Sequence, residues 1–469
     1  MRYSRLAVGL LCTSALHLVS VQAKAEPPAT SQSVPNPQVR NEAFFRASLV
    51  DAYDTAGTRN PKWDAEAHKV LELAVKRWVE PQVDPDIDWQ IMVIGDRAYD
   101  HGCGDMAVLN QVLRAHMSLE ISVKTGLIEK LSQNIADARY RPFLKLFALL
   151  HLAQLSRNQA RNANNDAETR LLFNAACDNL PGLLSERDFP MGEKAQVCHD
   201  LSTLSVELGG DPGQVRQHFE DILSDALPDS PARDLYDGHM FWEAGFRSGG
   251  HAREELHQKA ENAFEAALKK DPRCSEASSE MIGTLVDEGS EGSDPKLERY
   301  FQRAISDNPD CYFAYYYKGA ALNTGKDGAP EQLLAFGRTC LATRRWTARI
   351  PFLLLRAQRH AAQTLYRDAA QNGDPKTATD RMIAKLYEDQ PDTWRDVQSM
   401  YEGYIEYDPK AMTERVNYIQ AALLAKDAGV AQKQWDELKK ISERDPVFHT
   451  IVASQIQKVL PAMRKAGVK

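Results

Sequence analysis

Three stretches of this chain gather residues that could do chemistry. Tyr99-Asp100-His101-Gly102-Cys103-Gly104-Asp105 alternates Asp, His, Cys and Asp on a glycine-bearing loop, and these donor types bind zinc at about 2.0 to 2.3 Å when they converge. The same spacing suits a helix-to-helix turn, with Asp105 capping the next helix and Gly102 and Gly104 taking positive φ. The turn is the preferred reading, so neither a metal nor a cofactor is expected. The second stretch, Tyr312-Phe313-Ala314-Tyr315-Tyr316-Tyr317, carries more rings than one buried helix face can use, since helical side chains point all round the axis. Aromatic rings bury large area at low entropic cost, which makes Tyr312, Tyr315 and Tyr316 the candidate binding residues. The third set is the cysteines. Cys311 and Cys340, and Cys177 and Cys198, fall near helix ends that antiparallel packing would bring together, so these are the candidate disulfides. Cys274 and Cys311 occupy equivalent places in neighbouring hairpins, roughly 10 Å apart, and are not expected to pair.

Other chemistries lack their residues. The twelve histidines contain no His-Glu-x-x-His, and there is no Gly-x-Ser-x-Gly nucleophile turn, so no catalytic residue is assigned. Gly319 to Lys326 has five residues between its glycines and Asp327 where a phosphate loop needs Ser or Thr. Paired carboxylates for sugar-bond hydrolysis remain the enzymatic alternative, without a committed Glu.

The elements that would position these residues start after an export signal. Arg2 and Arg5 precede an apolar run, Leu6 to Val21, followed by the small-x-small site Ala23-Lys24-Ala25. Residues 1–25 read as a signal peptide, and 26–40, rich in Pro, Ser and Gln, as a disordered leader. The expected location is periplasmic or secreted, with no membrane span after cleavage. Formal charge is −8, and losing three cations with the signal leaves −11, which argues against nucleic acid as a partner.

From Asn41 onward apolar residues recur at helical spacing, and Trp89 to Ile94 is the one serious strand candidate. In the second half a motif repeats: Ala267 to Pro272, Ala304 to Pro309, Tyr404 to Pro409 and Ile441 to Pro446 each end a helix in Asp-Pro or Asn-Pro. The first two prolines lie 37 residues apart, as do the last two, and Phe264, Phe301, Tyr401 or Leu438 stands eight residues before each. Gly283 and Gly319 follow at places where helices must approach closely. This pattern resembles the tetratricopeptide class of helical hairpin. Residues 236 to 342, from Tyr236 and Phe241-Trp242-Glu243-Ala244-Gly245 onward, also resemble exported bacterial proteins grouped only as a domain of unknown function.

The resemblance implies an all-α solenoid of antiparallel helical hairpins, irregular over residues 41–235 and repetitive over 236–469. Such a surface suits an extended peptide or another envelope protein as partner, so a non-catalytic binding scaffold is the expected function and an envelope enzyme, such as a cell-wall glycan hydrolase, the alternative.

Overall fold

A computed structural model describes residues 37–80, 85–135, 140–160, 166–323, 330–367, 375–444, 456–457 and 459–468. The signal peptide, most of the leader and the Asp445-Pro446 motif lie outside the described residues; Pro37 to Arg40 of the leader segment already begin the first helix.

The described residues alternate helix and short turn, and none of them is in a strand. The first part comprises α1 (Pro37–Arg46), α2 (Ala52–Ala56), α3 (Asp64–Val79), α4 (Pro85–Asp100), α5 (Met106–Ser118), α6 (Leu127–Ile135) and α7 (Pro142–Ala160). Next come α8 (Asp166–Leu184), α9 (Met191–Glu207), α10 (Pro212–Ala226), α11 (Ala232–Arg247), α12 (Gly250–Lys270), α13 (Ser275–Asp287) and α14 (Pro295–Asp307). The last part holds α15 (Tyr312–Ala321), α16 (Pro330–Ala342), α17 (Leu353–Leu365), α18 (Pro375–Asp389), α19 (Pro391–Tyr407), α20 (Met412–Leu424) and α21 (Ala428–Arg444). The strand candidate Trp89 to Ile94 is helical, inside α4. Its β-branched run misleads because the adjacent pairs Ile87-Asp88 and Ile91-Met92 are buried while Trp89, Gln90, Val93 and Ile94 are only partly so, which is a helical and not an alternating pattern.

Turn chemistry repeats with the motif. Asp271, Asn308 and Asp408 each close a helix and accept, through the side chain, the backbone N–H two residues on, at 3.0, 3.1 and 3.1 Å. The following Pro cannot continue the helix, so the chain reverses. At other breaks Asp211 and Asp294 cap helices that begin with Pro212 and Pro295.

Within a hairpin the helices run antiparallel. Lys318, late in α15, pairs with Glu298, early in α14, at 2.6 Å, and Arg253 near the start of α12 donates to the Asp287 carbonyl at the end of α13. Successive hairpins stack in register. Lys296 meets Glu261, Tyr300 meets Glu265, and Arg345 meets Asp310, every pair 35 residues apart. Helices α11, α13, α15 and α17 form one layer of this stack, while α12 and α14 form the other. The result is an all-α solenoid of antiparallel hairpins.

The core is correspondingly long. One buried cluster runs from Phe44 to Leu353, without a break at residue 235. It begins with six rings, Phe44, Phe45, Trp78, Phe143, Phe147 and Phe189, at centroid separations of 5.0 to 5.7 Å. That knot ties α1 to α3, α7 and the turn before α9. Among the described residues three smaller clusters serve the last hairpins, and one of them unites Met412, Val416 and Ile419 of α20 with Trp89, Val93 and Ile94 of α4. Lys76 meets Asp408 at 3.3 Å, and Asp86 accepts from the Thr413 N–H at 2.8 Å and from its hydroxyl. The solenoid thus curves until its C-terminal hairpins touch its N-terminal ones.

Candidate functional site

The aromatic stretch opens α15, and its five rings divide between packing and groove. Tyr315 is 6% exposed and lies edge-on to Phe301 of α14 at 5.3 Å, in the seam of its own hairpin. Tyr312 and Tyr316 are half-buried on the side facing α17, where Arg356 sits 3.8 Å from the Tyr316 ring. Burial pushes the Tyr312 phenol up to about 12, against the opposing charge of Arg356. Phe313 is 40% exposed and stacks on Tyr317 at 6.1 Å.

Tyr317 reveals which face is concave. Its ring lies 6.0 Å from Trp242 of α11, and a Cβ at Gly283 of the intervening α13 would stand 3.1 Å from it. Helices two places apart in one layer bring rings together most readily on the side toward which the layer curves. Gly283 is therefore required for close approach, as its place in the repeat suggested. Trp242 is held by a 2.6 Å hydrogen bond to Asp287. Trp242, Tyr317, Phe313 and Tyr316, with Arg356, make a row across the inner face.

Beside this row, α9, α11 and α13 bring together ionisable groups that sequence spacing did not reveal. His199 contacts Glu243 at 3.0 Å and Asp200 at 3.9 Å, and His239 lies 4.0 Å from Glu280. Burial opposes the charge on His199, but the adjacent carboxylates of Asp200 and Glu243 outweigh this and hold its pKa at about 9. Burial drives His239 down to about 3, Glu193 up to about 7 and Glu280 up to about 8. Among the described residues no three His, Cys, Asp or Glu side chains stand where they could hold a metal ion.

The Tyr99 to Asp105 segment is a turn, and its donors diverge. His101 faces Glu66 at 3.1 Å, Cys103 is buried, and Asp105 caps α5 through the N–H groups of Ala107 and Val108. The same carboxylate accepts from the Thr58 N–H at 2.9 Å and the Tyr140 hydroxyl at 2.8 Å, tying three segments together. Gly102 has φ +99°, but Gly104, expected to share that conformation, does not; a Cβ there would meet Lys130 Cε at 2.6 Å. A cleft of about 470 Å³ opens beside it, lined by Thr58, Trp63, Lys130 and Asn134 among others.

The six cysteines of the described chain are free thiols. Burial raises both Cys177 and Cys198, and the neighbouring Cys177 thiolate adds to the rise at Cys198. Cys311 points at the Ser275 carbonyl, 4.0 Å away, while Cys340 is fully buried in α16. Burial pushes Cys311 and Cys340 up to about 12.

No family model matches this chain, and no curated protein matches it. Among solved structures, it is similar to a Naa15/Naa10 complex bound to HypK-THB, at 12% identity and a TM-score of 0.30, covering 91% of this chain and 74% of that one. Yeast Tom70 follows at 13% identity and a TM-score of 0.23, covering 91% and 96%. A circular tandem repeat protein is similar at 12% identity and 0.19, covering 92% and 96%.

Proposed function

We propose that the protein is a non-catalytic scaffold of the cell envelope, exported on its signal sequence, whose inner face holds an extended peptide or a segment of a partner protein. The aromatic row of Trp242, Tyr317, Phe313 and Tyr316 supports this reading: contiguous rings, partly exposed on a concave face, suit recognition better than stability. In an oxidising envelope Cys177 with Cys198, and Cys311 with Cys340, are the pairs to examine by non-reducing peptide mapping. The test of function is a cross-linked pull-down from the bacterial envelope with the full chain and its Phe313→Ala and Tyr316→Ala variants. A partner recovered with the wild type should be lost with either variant, because truncating an aromatic anchor commonly costs about 2 kcal/mol or more of binding. Equal recovery by all three chains would discard the row as the binding surface.

A second reading, hydrolysis of a cell-wall glycan, draws on Glu193 and Glu280, whose raised pKa values suit a general acid near neutral pH. Release of soluble sugar from purified cell wall by the wild type, abolished by Glu280→Gln, would favour it over the scaffold.

A further inference from the structure

We propose that the cleft beside Asp105 is a binding site for a small sugar acid, a hydroxylated ring that carries one carboxylate. Its walls come from the turn after α2, the turn before α5 and two residues of α6, whereas the aromatic row lies on α11 and α15. Nothing in the segment-binding reading requires it.

The cleft encloses about 470 Å³, within the roughly 300 to 1,000 Å³ of small-molecule sites. Glycine makes the room. A Cβ on Gly104 would stand 2.6 Å from Lys130 Cε, and one on Gly102 would stand 3.5 Å from the Trp63 ring. The frame is set before any ligand arrives. Asp105 lines the cleft, yet it is only 2% exposed and its carboxylate is taken by the Thr58 N–H, the Tyr140 hydroxyl and the N–H groups of Ala107 and Val108. Trp63 Nε1 donates to the Thr58 carbonyl at 3.3 Å, and Asn134 Nδ2 donates to the Gly104 carbonyl. Walls held in this way lose little freedom on binding.

The groups that the frame leaves over define the ligand. Among the described residues Lys130 and Asp105 are the only charged side chains lining the cleft, and Lys130 forms no ion pair. Its Nζ stands 3.5 Å from the place a Gly104 Cβ would take, and the Gly104 N–H donates to no described group. An ammonium beside a spare N–H suits a carboxylate. The Thr58 hydroxyl and the Asn134 side-chain oxygen are also unused among the described residues, and they can accept from or donate to ligand hydroxyls. Half-buried Trp63 adds an apolar ring surface against which the carbon side of a sugar can lie. A sugar acid answers all three. Acetate would leave the hydroxyl partners and Trp63 unused, and a neutral sugar would leave the ammonium unanswered.

Calorimetric titration of the full chain with glucuronate, its C4 epimer galacturonate, glucose and acetate, at constant ionic strength, tests the proposal. The wild type should bind at least one of the two sugar acids saturably, and at least tenfold more tightly than glucose or acetate. Lys130→Gln should bind that sugar acid at least tenfold more weakly, no better than glucose, whereas Lys130→Arg should retain most of the preference. Lys130 is exposed, so Lys130→Gln should melt with the wild type, which separates lost binding from lost folding. Absence of saturable binding of both sugar acids by the wild type overturns the proposal. So does binding of glucose or acetate as tight as that of the sugar acid, or a Lys130→Gln chain that binds like the wild type.

Discussion

Tyr315 and Tyr316 are neighbours in the chain and differ in what they hold. Tyr315 fills the seam with Phe301, so Tyr315→Ala should cost about 3 to 5 kcal/mol of folding stability in urea denaturation, by opening a cavity. A loss below about 1 kcal/mol would show that the seam is not packed as described. At this scale the pH response is set by His199, Glu193 and Glu280. His199 has a folded pKa of about 9, above its ordinary 6.5, so its stabilising contribution is complete below about 6.5 and disappears as the pH rises through 9. Glu193 and Glu280, at about 7 and 8 against an ordinary 4.5, hold their protons more tightly when folded, so they too lose stability as the pH rises. All three have the same sign. The melting temperature should therefore fall between pH 6 and 9.5, and less steeply in Glu280→Gln; a profile that rises over this range would contradict the groove electrostatics.

Between elements, the decisive quantity is how closely two helices approach. A Cβ on Gly238 of α11 would stand 2.3 Å from Cε1 of Phe264, a fully buried ring on α12 that has nowhere to go. Gly238→Ala should destabilise the protein by about 1 to 3 kcal/mol, read as a lowered urea midpoint, and an unchanged midpoint would mean that α11 and α12 are farther apart. The repeat itself was legible because the same turn recurs: Asp271, Asn308 and Asp408 make one side-chain bond at one place in each hairpin. The first half offered no such signal, yet similar offsets operate there. His101 meets Glu66, and Tyr140 meets Asp105, in both cases 35 residues apart. Those contacts are made by residue types that differ from hairpin to hairpin, so no motif betrays the period.

For the whole molecule, closure is the principal fact. Lys76 and Asp408 are 332 residues apart and 3.3 Å from each other, close enough for a carbodiimide to join ammonium to carboxylate without a spacer. Peptide mapping after such treatment should recover the Lys76–Asp408 link from the monomer. The link should fade in Asp86→Ala, which removes the neighbouring bonds to Thr413. Its absence from the wild type would mean that the two ends do not meet.

What the sequence by itself determined was local: helix at nearly every position, the turns that reverse the chain, the glycine at position 283 where two helices crowd a third, and the aromatic surplus in α15. Each is encoded within a few residues, by periodicity, capping or the lack of a side chain. The tertiary structure alone decided which rings turn inward, that α4 meets α20, and that His199 meets Glu243. Those depend on curvature summed over many hairpins. A small rotation at each interface is invisible in any single repeat, and only the accumulated turn brings residues hundreds of positions apart into contact.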